Sequence, residues 1–335
     1  MKTITTLLHV VTLTLVCVGS FPKTQAINPP PDGGYPGGNT AEGESALLSL
    51  TSGAYNTAVG LFSLLSLTEG AFCTGVGAGA LLPNTANENT ATGAGALFSN
   101  TSGPYNTANG AFALFSNTTG DENTATGDIS LFSNTTGSNN TANGTSALNS
   151  NTTGFDNTAN GHNALFSNTS GEANTATGEA CLFFNSTGTG NTAIGVAALA
   201  ENTTGGNNTA AGSGALQNNT NGSDNVAVGF AAGFNVITAN NVICIGAAGD
   251  DVDDSCYIGN IYGAEISKNA AFVLVDADGK VGTGAVDANG NKVTPTSPQT
   301  ILNELRDQQN RIAELEAAVK QQQRQIEALT AGLQK

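Results

Sequence analysis

The chain has 335 residues, a net charge of −16, 43 glycines, no tryptophan and one methionine. Only 11% of it is charged while 39% is apolar, a balance unlike that of a disordered chain despite its Asn, Gly, Ser and Thr bias. The acidity argues against nucleic acid and anionic membrane as partners, and part of it is gathered at Asp250, Asp251, Asp253 and Asp254.

Residues 1–26 read as a secretory signal peptide. Lys2 supplies the charged start, residues 7–18 are apolar but too short to span a bilayer, and Thr24-Gln25-Ala26 offers a cleavage site. Cys17 lacks the small neighbours of a lipoprotein signal and belongs to the apolar core. No later segment of the mature chain has the length and apolarity of a transmembrane helix. Residues 27–38 form a Pro/Gly-rich leader. The expected location is therefore secreted or cell-surface.

From Asn39 to Gly229 a phrase close to Asn-Thr-Ala-x-Gly recurs twelve times, at a step of 17 residues with one step of 16 between Cys73 and Asn89. A unit this short cannot close its own core, so it must stack on its neighbours. The fold class expected for residues 39–263 is all-β, a parallel β-roll or β-solenoid of ~17-residue coils. A helical repeat is disfavoured because Gly and Asn recur where a helix interior would stand.

Counting from the asparagine as position zero, position two is Ala, position four Gly, position seven small and position eight Leu. This pattern predicts two short strands per coil, Thr-Ala-x and Ala-Leu-Phe, with glycines at positions four and fourteen supplying unusual corner conformations. Leu97, Leu114, Leu131, Leu148, Leu165, Leu182, Leu199 and Leu216 are the expected solenoid core. Asn and Thr side chains at corners are expected to bond nearby backbone and stack as ladders. Triplets such as Asn117-Thr118-Thr119 match the glycosylation pattern, but repetition of a turn phrase explains them without sugar.

Position nine carries Phe98, Phe115, Phe132, Phe166 and Phe183, with Asn149 between them and leucines earlier. If it shares a strand with the inward leucine it faces out, and an apolar column of that length predicts burial between chains of a homo-oligomer. The alternative is a wider coil with both residues inside.

Beyond Asn225 the repeat changes, with NVAVG and NNVICIG leading through the acidic loop to SCYIGNIYG. Residues 264–298 are expected to form β hairpins around Asp278-Gly279 and Asn289-Gly290. Asp276 and Asp278 lack the downstream carboxylates of a calcium loop. Residues 299–335 are expected to form a coiled coil. Leu305, Ile312, Val319, Ile326 and Leu333 recur at a; Ile301, Gln308, Leu315, Gln322 and Leu329 at d. The interface seam named here is Leu305, Ile312, Leu315, Val319, Ile326 and Leu329. Ile or Val at a with Leu at d favours dimers.

Four cysteines remain after the signal: Cys73, Cys181, Cys244 and Cys256. Their spacing fits neither a metal site nor a redox pair. Aligning Cys244 with Tyr257 puts Cys256 on the opposite face from Cys244, so no intrachain disulfide is expected. His162 is the only histidine past the signal, and Asp121, Glu122, Asp156 and Glu172 repeat no pairing. With no nucleophile elbow or phosphate loop either, the reading is not an enzyme, with no cofactor and no metal.

The array with NVAVG and NNVICIG resembles the heads of trimeric autotransporter adhesins (YadA-like) and related bacterial exported NTAxG-repeat and tail-fibre-like proteins. The resemblance covers about residues 39–263. It implies a left-handed parallel β-roll of three chains on a coiled-coil stalk, with adhesion and fibre assembly as functions. It also implies a homotrimer in preference to the dimer. The expected role is a structural or adhesive fibre whose partners are itself and extracellular matrix or polysaccharide. The alternative is an ice- or polysaccharide-binding solenoid, motivated by the Thr column at position one.

Overall fold

A computed structural model describes residues 35–260, four two-residue strands between 274 and 293, and a helix over 298–333. The signal and leader readings for residues 1–34 lie outside the described residues. Two compact units are present, Met1–Ile261 and Tyr262–Lys335.

The first unit is a parallel β-solenoid with one three-residue strand per coil. In chain order these are β1 (Thr40–Glu42), β2 (Thr57–Val59), β3 (Thr74–Val76), β4 (Thr90–Thr92), β5 (Thr107–Asn109), β6 (Thr124–Thr126) and β7 (Thr141–Asn143). Then come β8 (Thr158–Asn160), β9 (Thr175–Thr177), β10 (Thr192–Ile194), β11 (Thr209–Ala211), β12 (Val226–Val228), β13 (Ile243–Ile245) and β14 (Cys256–Ile258). All fourteen join one parallel sheet in strict chain order. Register follows the repeat, with Thr107 on Thr124, Ala108 on Ala125 and Asn109 on Thr126. Because neighbouring residues of a strand face opposite ways, position two points inward; Ala58 and its counterparts from Ala91 to Ala227 are fully buried.

The second expected strand is absent. Residues at positions five to ten form a turn in each of the twelve repeats, and Leu at position eight of the first eleven takes a left-handed conformation, with φ of +52° at Leu114 and +49° at Leu131. Such a backbone costs an L-residue about 1–2 kcal/mol. Burying a leucine side chain gains about 1.5–3 kcal/mol, and Leu64 through Leu216 are buried to 1% exposure or less. Burial wins, so the apolar column survives while the strand does not. The eight leucines expected in the core are there.

The two glycine columns differ in cause. At position four φ is positive, as at Gly110 (+147°), Gly127 (+129°) and Gly161 (+142°). Position fourteen has no such conformation, contrary to expectation; it needs glycine for space. A Cβ at Gly103, Gly120 or Gly137 would fall onto the carbonyl oxygen of the corresponding glycine one coil on.

That carbonyl organises the polar core. Asn123 Nδ2 and Asn134 Nδ2 both donate to the Gly137 oxygen, at 2.8 and 2.9 Å. The same pair of bonds recurs at Asn140 and Asn151 on Gly154, both from fully buried side chains. Each asparagine also bonds its copy in the previous coil: Asn134 Nδ2 donates to Asn117 Oδ1 at 2.8 Å, and Asn123 Oδ1 accepts the Asn140 backbone N–H at 3.0 Å. Thr hydroxyls at position twelve make a third ladder, Thr118 to the Thr135 carbonyl and Thr135 to the Thr152 carbonyl, each 2.9 Å. Buried polar groups are stable only when bonded, and here the bonding is as periodic as the backbone.

The pattern changes after Asn225. Val236 stands at position eleven, ending that asparagine ladder and leaving the buried Asn219 Oδ1 with no hydrogen-bond partner among the described residues. Val242 and Cys244 continue the interior as apolar residues. The acidic loop then latches the end. Asp251 Oδ1 accepts the N–H groups of Ile237, Thr238 and Ala239 at 2.8, 2.7 and 2.7 Å, and Oδ2 accepts the Thr238 hydroxyl. Asp253 Oδ1 accepts the Asn240 N–H at 2.7 Å.

In the second unit, β15 (Leu274–Val275) pairs antiparallel with β16 (Val281–Gly282), and β17 (Ala285–Val286) with β18 (Lys292–Val293). The turn residues Asp278, Gly279, Asn289 and Gly290, and the Asp276 position, lie outside the described residues. Helix α1 runs Pro298–Leu333, one residue earlier than the sequence reading.

Candidate contact surfaces

The outer face of the sheet carries positions one and three of every coil. From β2 to β14 no residue at either position is charged. Between β2 and β11 position one is always Thr, and no hydrogen bond from these hydroxyls is found among the described residues. Thr107, Thr124, Thr141, Thr158 and Thr175 are exposed. In the last three strands the face becomes apolar: Val226, Val228, Ile243, Ile245 and Ile258 are exposed, aligned in two columns by the strand register.

The phenylalanine column is half-buried within one chain. Phe98 stacks on Phe115 at 5.0 Å between ring centroids, Phe115 on Phe132 at 5.2 Å, and Phe166 on Phe183 at 5.1 Å. Near-parallel rings at this separation attract beyond their area burial. Asn149 interrupts the stack, its Nδ2 donating to the Ile129 carbonyl at 3.0 Å.

On α1 the heptad residues are exposed: Leu305 53%, Ile312 56%, Leu315 65%, Val319 62% and Ile326 57%. The Leu329 side chain lies outside the described residues. Gln308 and Gln322, at d, are exposed as well.

Cys73, Cys181 and Cys244 are buried and Cys256 is exposed, all as free thiols. Cys244 pairs in register with Tyr257, and Cys256 with Ile243. Burial pushes the thiols of Cys73, Cys181 and Cys244 up, Cys181 to about 12, which keeps them protonated and unreactive at neutral pH. Cys73 replaces a ladder asparagine: its N–H still donates to Asn56 Oδ1 at 2.9 Å and its Sγ to the Ala86 carbonyl at 3.2 Å.

His162 is exposed, with Nδ1 3.9 Å from Glu179 Oε1, itself exposed. Asp121 and Glu172 are half-buried, Glu122 and Asp156 exposed; Asp121 and Glu122 are neighbours in one coil, and Asp156 and Glu172 stand in two others. Among the described residues there is no group of three or more His, Cys, Asp or Glu placed to hold a metal, and no helix long and apolar enough to cross a membrane.

The glycosylation-like triplets beginning at Asn100, Asn117, Asn134, Asn151, Asn168, Asn185 and Asn202 put their asparagine at position eleven. There the side chain is fully buried and already bonded, with no room for a sugar in the folded coil.

The first unit carries the Thr face and the Phe column, and the second carries the heptad seam. Sequence reasoning missed the convergence of two asparagines on one glycine carbonyl, although the spacing of zero, eleven and fourteen that recurs from Asn89 to Gly222 carried it. No known protein family, curated protein or solved structure matches this chain.

Proposed function

We propose that this protein is a secreted or cell-surface homo-oligomer, a trimer, with a structural and adhesive role. The observation that carries the reading is the exposed heptad stripe on α1. Leu305, Ile312, Leu315, Val319 and Ile326 form one face of a 36-residue helix and stand more than half exposed. Each such side chain gains about 1.5–3 kcal/mol when buried, and strict seven-residue spacing buries them best against like helices. The apolar end of the sheet face at β12–β14 and the outer edges of the Phe98–Phe183 column supply further area for the same association. Three chains rather than two is the choice that the repeat's resemblance favours. The apolar stretch at residues 7–18 supports export. Adhesion follows from the repeat: a surface that presents one contact many times gains avidity from a polymeric partner.

The variant Ile312→Asp/Val319→Asp places charge in the seam and is expected to reduce the solution mass to that of one chain, while the far-UV signature of the solenoid persists. Retention of the wild-type mass would count against the reading.

A second reading is favoured by the unbonded Thr hydroxyls. An uncharged sheet face with one hydroxyl every ~4.8 Å suits a regular lattice, ice or a crystalline polysaccharide. Thr124→Lys/Thr141→Lys should then abolish thermal hysteresis or binding to the insoluble polymer; equal activity of the wild type and variant would remove this reading.

A further inference from the structure

We propose that the open N-terminal end of the solenoid is a docking site for the chain's own leader, residues 27–34. The first coil does not close as the others do. Leu47 is 7% exposed where Leu64, Leu81 and Leu97 are fully covered, and Ala41 is half-buried where Ala58 is fully buried. In front of them lies a cavity of about 320 Å³ whose apolar lining includes Ala41, Ala46, Leu47, Leu48 and Leu50, with Tyr35 at its rim.

The backbone is unfinished at the same place. One coil on, the carbonyls of Ser63, Leu65 and Thr68 accept the N–H groups of Leu47, Ser49 and Thr51. Their counterparts in the first coil, the carbonyls of Ala46, Leu48 and Thr51, have no earlier coil among the described residues to donate to them. An apolar end whose acceptors have no donor among the described residues is the arrangement that terminal caps exist to cover in stacked repeats.

The leader has the chemistry for this and enters at the right point. It joins the solenoid at Tyr35, on the rim of the cavity. Pro29, Pro30 and Pro31 carry no N–H, so docking them on leucine side chains would bring no unbonded donors into the cavity. Asp32, Gly33 and the asparagine at 28 retain N–H groups to offer the first-coil carbonyls, and glycine at 33 and 34 permits a sharp reversal. Eight residues at ~3.1 Å each span about 25 Å, more than the ~10 Å between packed β layers. A proline-rich strap also loses little entropy on docking. The opposite end offers a precedent in the same molecule, where the Asp251 loop closes the last coils with the chain's own residues.

The test compares the full chain with the full chain carrying Ile27→Ser, Pro29→Ser, Pro30→Ser and Pro31→Ser. Amide exchange at Leu47 and Ser49 is expected to quicken about tenfold in the variant, as local opening is no longer restrained. Exchange at Leu148 should stay unchanged and reports that the solenoid is folded. An apolar fluorescent dye should bind the variant more than the parent. Equal exchange at Leu47 and equal dye binding in the two proteins would overturn the proposal. So would protection of Leu47 that rises with protein concentration, which would assign the end to a second copy. The comparison of exchange at Leu47 and Leu148 between the two proteins does not depend on whether the helices associate.

Discussion

At the scale of the residue, the repeat is governed by one carbonyl oxygen per coil. Two asparagines eleven residues apart reach it, and each is bonded to its own copy in the next coil. Replacing one asparagine therefore removes bonds to the coils on both sides, as Asn140 does to Asn123 and Asn157. Asn140→Ala removes the acceptor of both the Asn157 N–H and the Asn157 Nδ2, and one of two donors to Gly154. We expect a loss of about 2–4 kcal/mol in urea unfolding. Thr141→Ala, on the exposed neighbour, should stay within about 0.5 kcal/mol. Equal losses at the two sites would contradict the role given to the ladder. The leucine column and the inward alanines were legible because burial dictates residue type at a fixed spacing. The left-handed backbone at Leu114 or Leu148 was not, because leucine is chosen there for its volume and carries no mark of its φ.

At the scale of the element, the coil is one strand and a series of tight turns. The sequence Ala-Leu-Phe has the composition of a strand, and local composition misleads where a stacked neighbour supplies the hydrogen bonds. Leu114 N–H, for example, bonds the Ser130 carbonyl of the next coil at 3.0 Å without strand geometry. The acidic loop was read only as the place where periodicity lapses. Its geometry makes it a latch, and a pH-dependent one. Partial burial alone would raise the Asp251 carboxyl, but the N–H groups of Thr238, Ile237 and Ala239 and the Thr238 hydroxyl outweigh it and hold the carboxyl below its ordinary value. A depressed folded-state value means the contribution is complete above the ordinary carboxylate value of about 3.9. It is lost as pH falls through the lower, folded value. Protection of the Thr238 and Ala239 amides, taken relative to their intrinsic exchange rate at each pH, should therefore fall on acidification below about pH 4, and Asp251→Ala should lack it at every pH. Protection that stays constant with pH in the parent protein would refute the latch.

At the scale of the whole molecule, periodicity did most of the predicting. A 17-residue step fixes a solenoid because each coil lacks a core of its own, and fourteen strands at ~4.8 Å give the first unit a length of about 60 Å. What periodicity could not supply is the partner for each exposed surface. Phe115 illustrates why: the sequence placed it on an outer wall, whereas stacking on Phe98 and Phe132 half-covers it inside one chain. The heptad seam on α1 has no comparable cover, since Leu315 and Val319 remain 65% and 62% exposed. Self-association is thus the claim on which the functional account stands. The most direct test is the solution mass of the full chain by sedimentation equilibrium at micromolar concentration. The account predicts three times the mass of one chain; a mass of one chain across that range would contradict it.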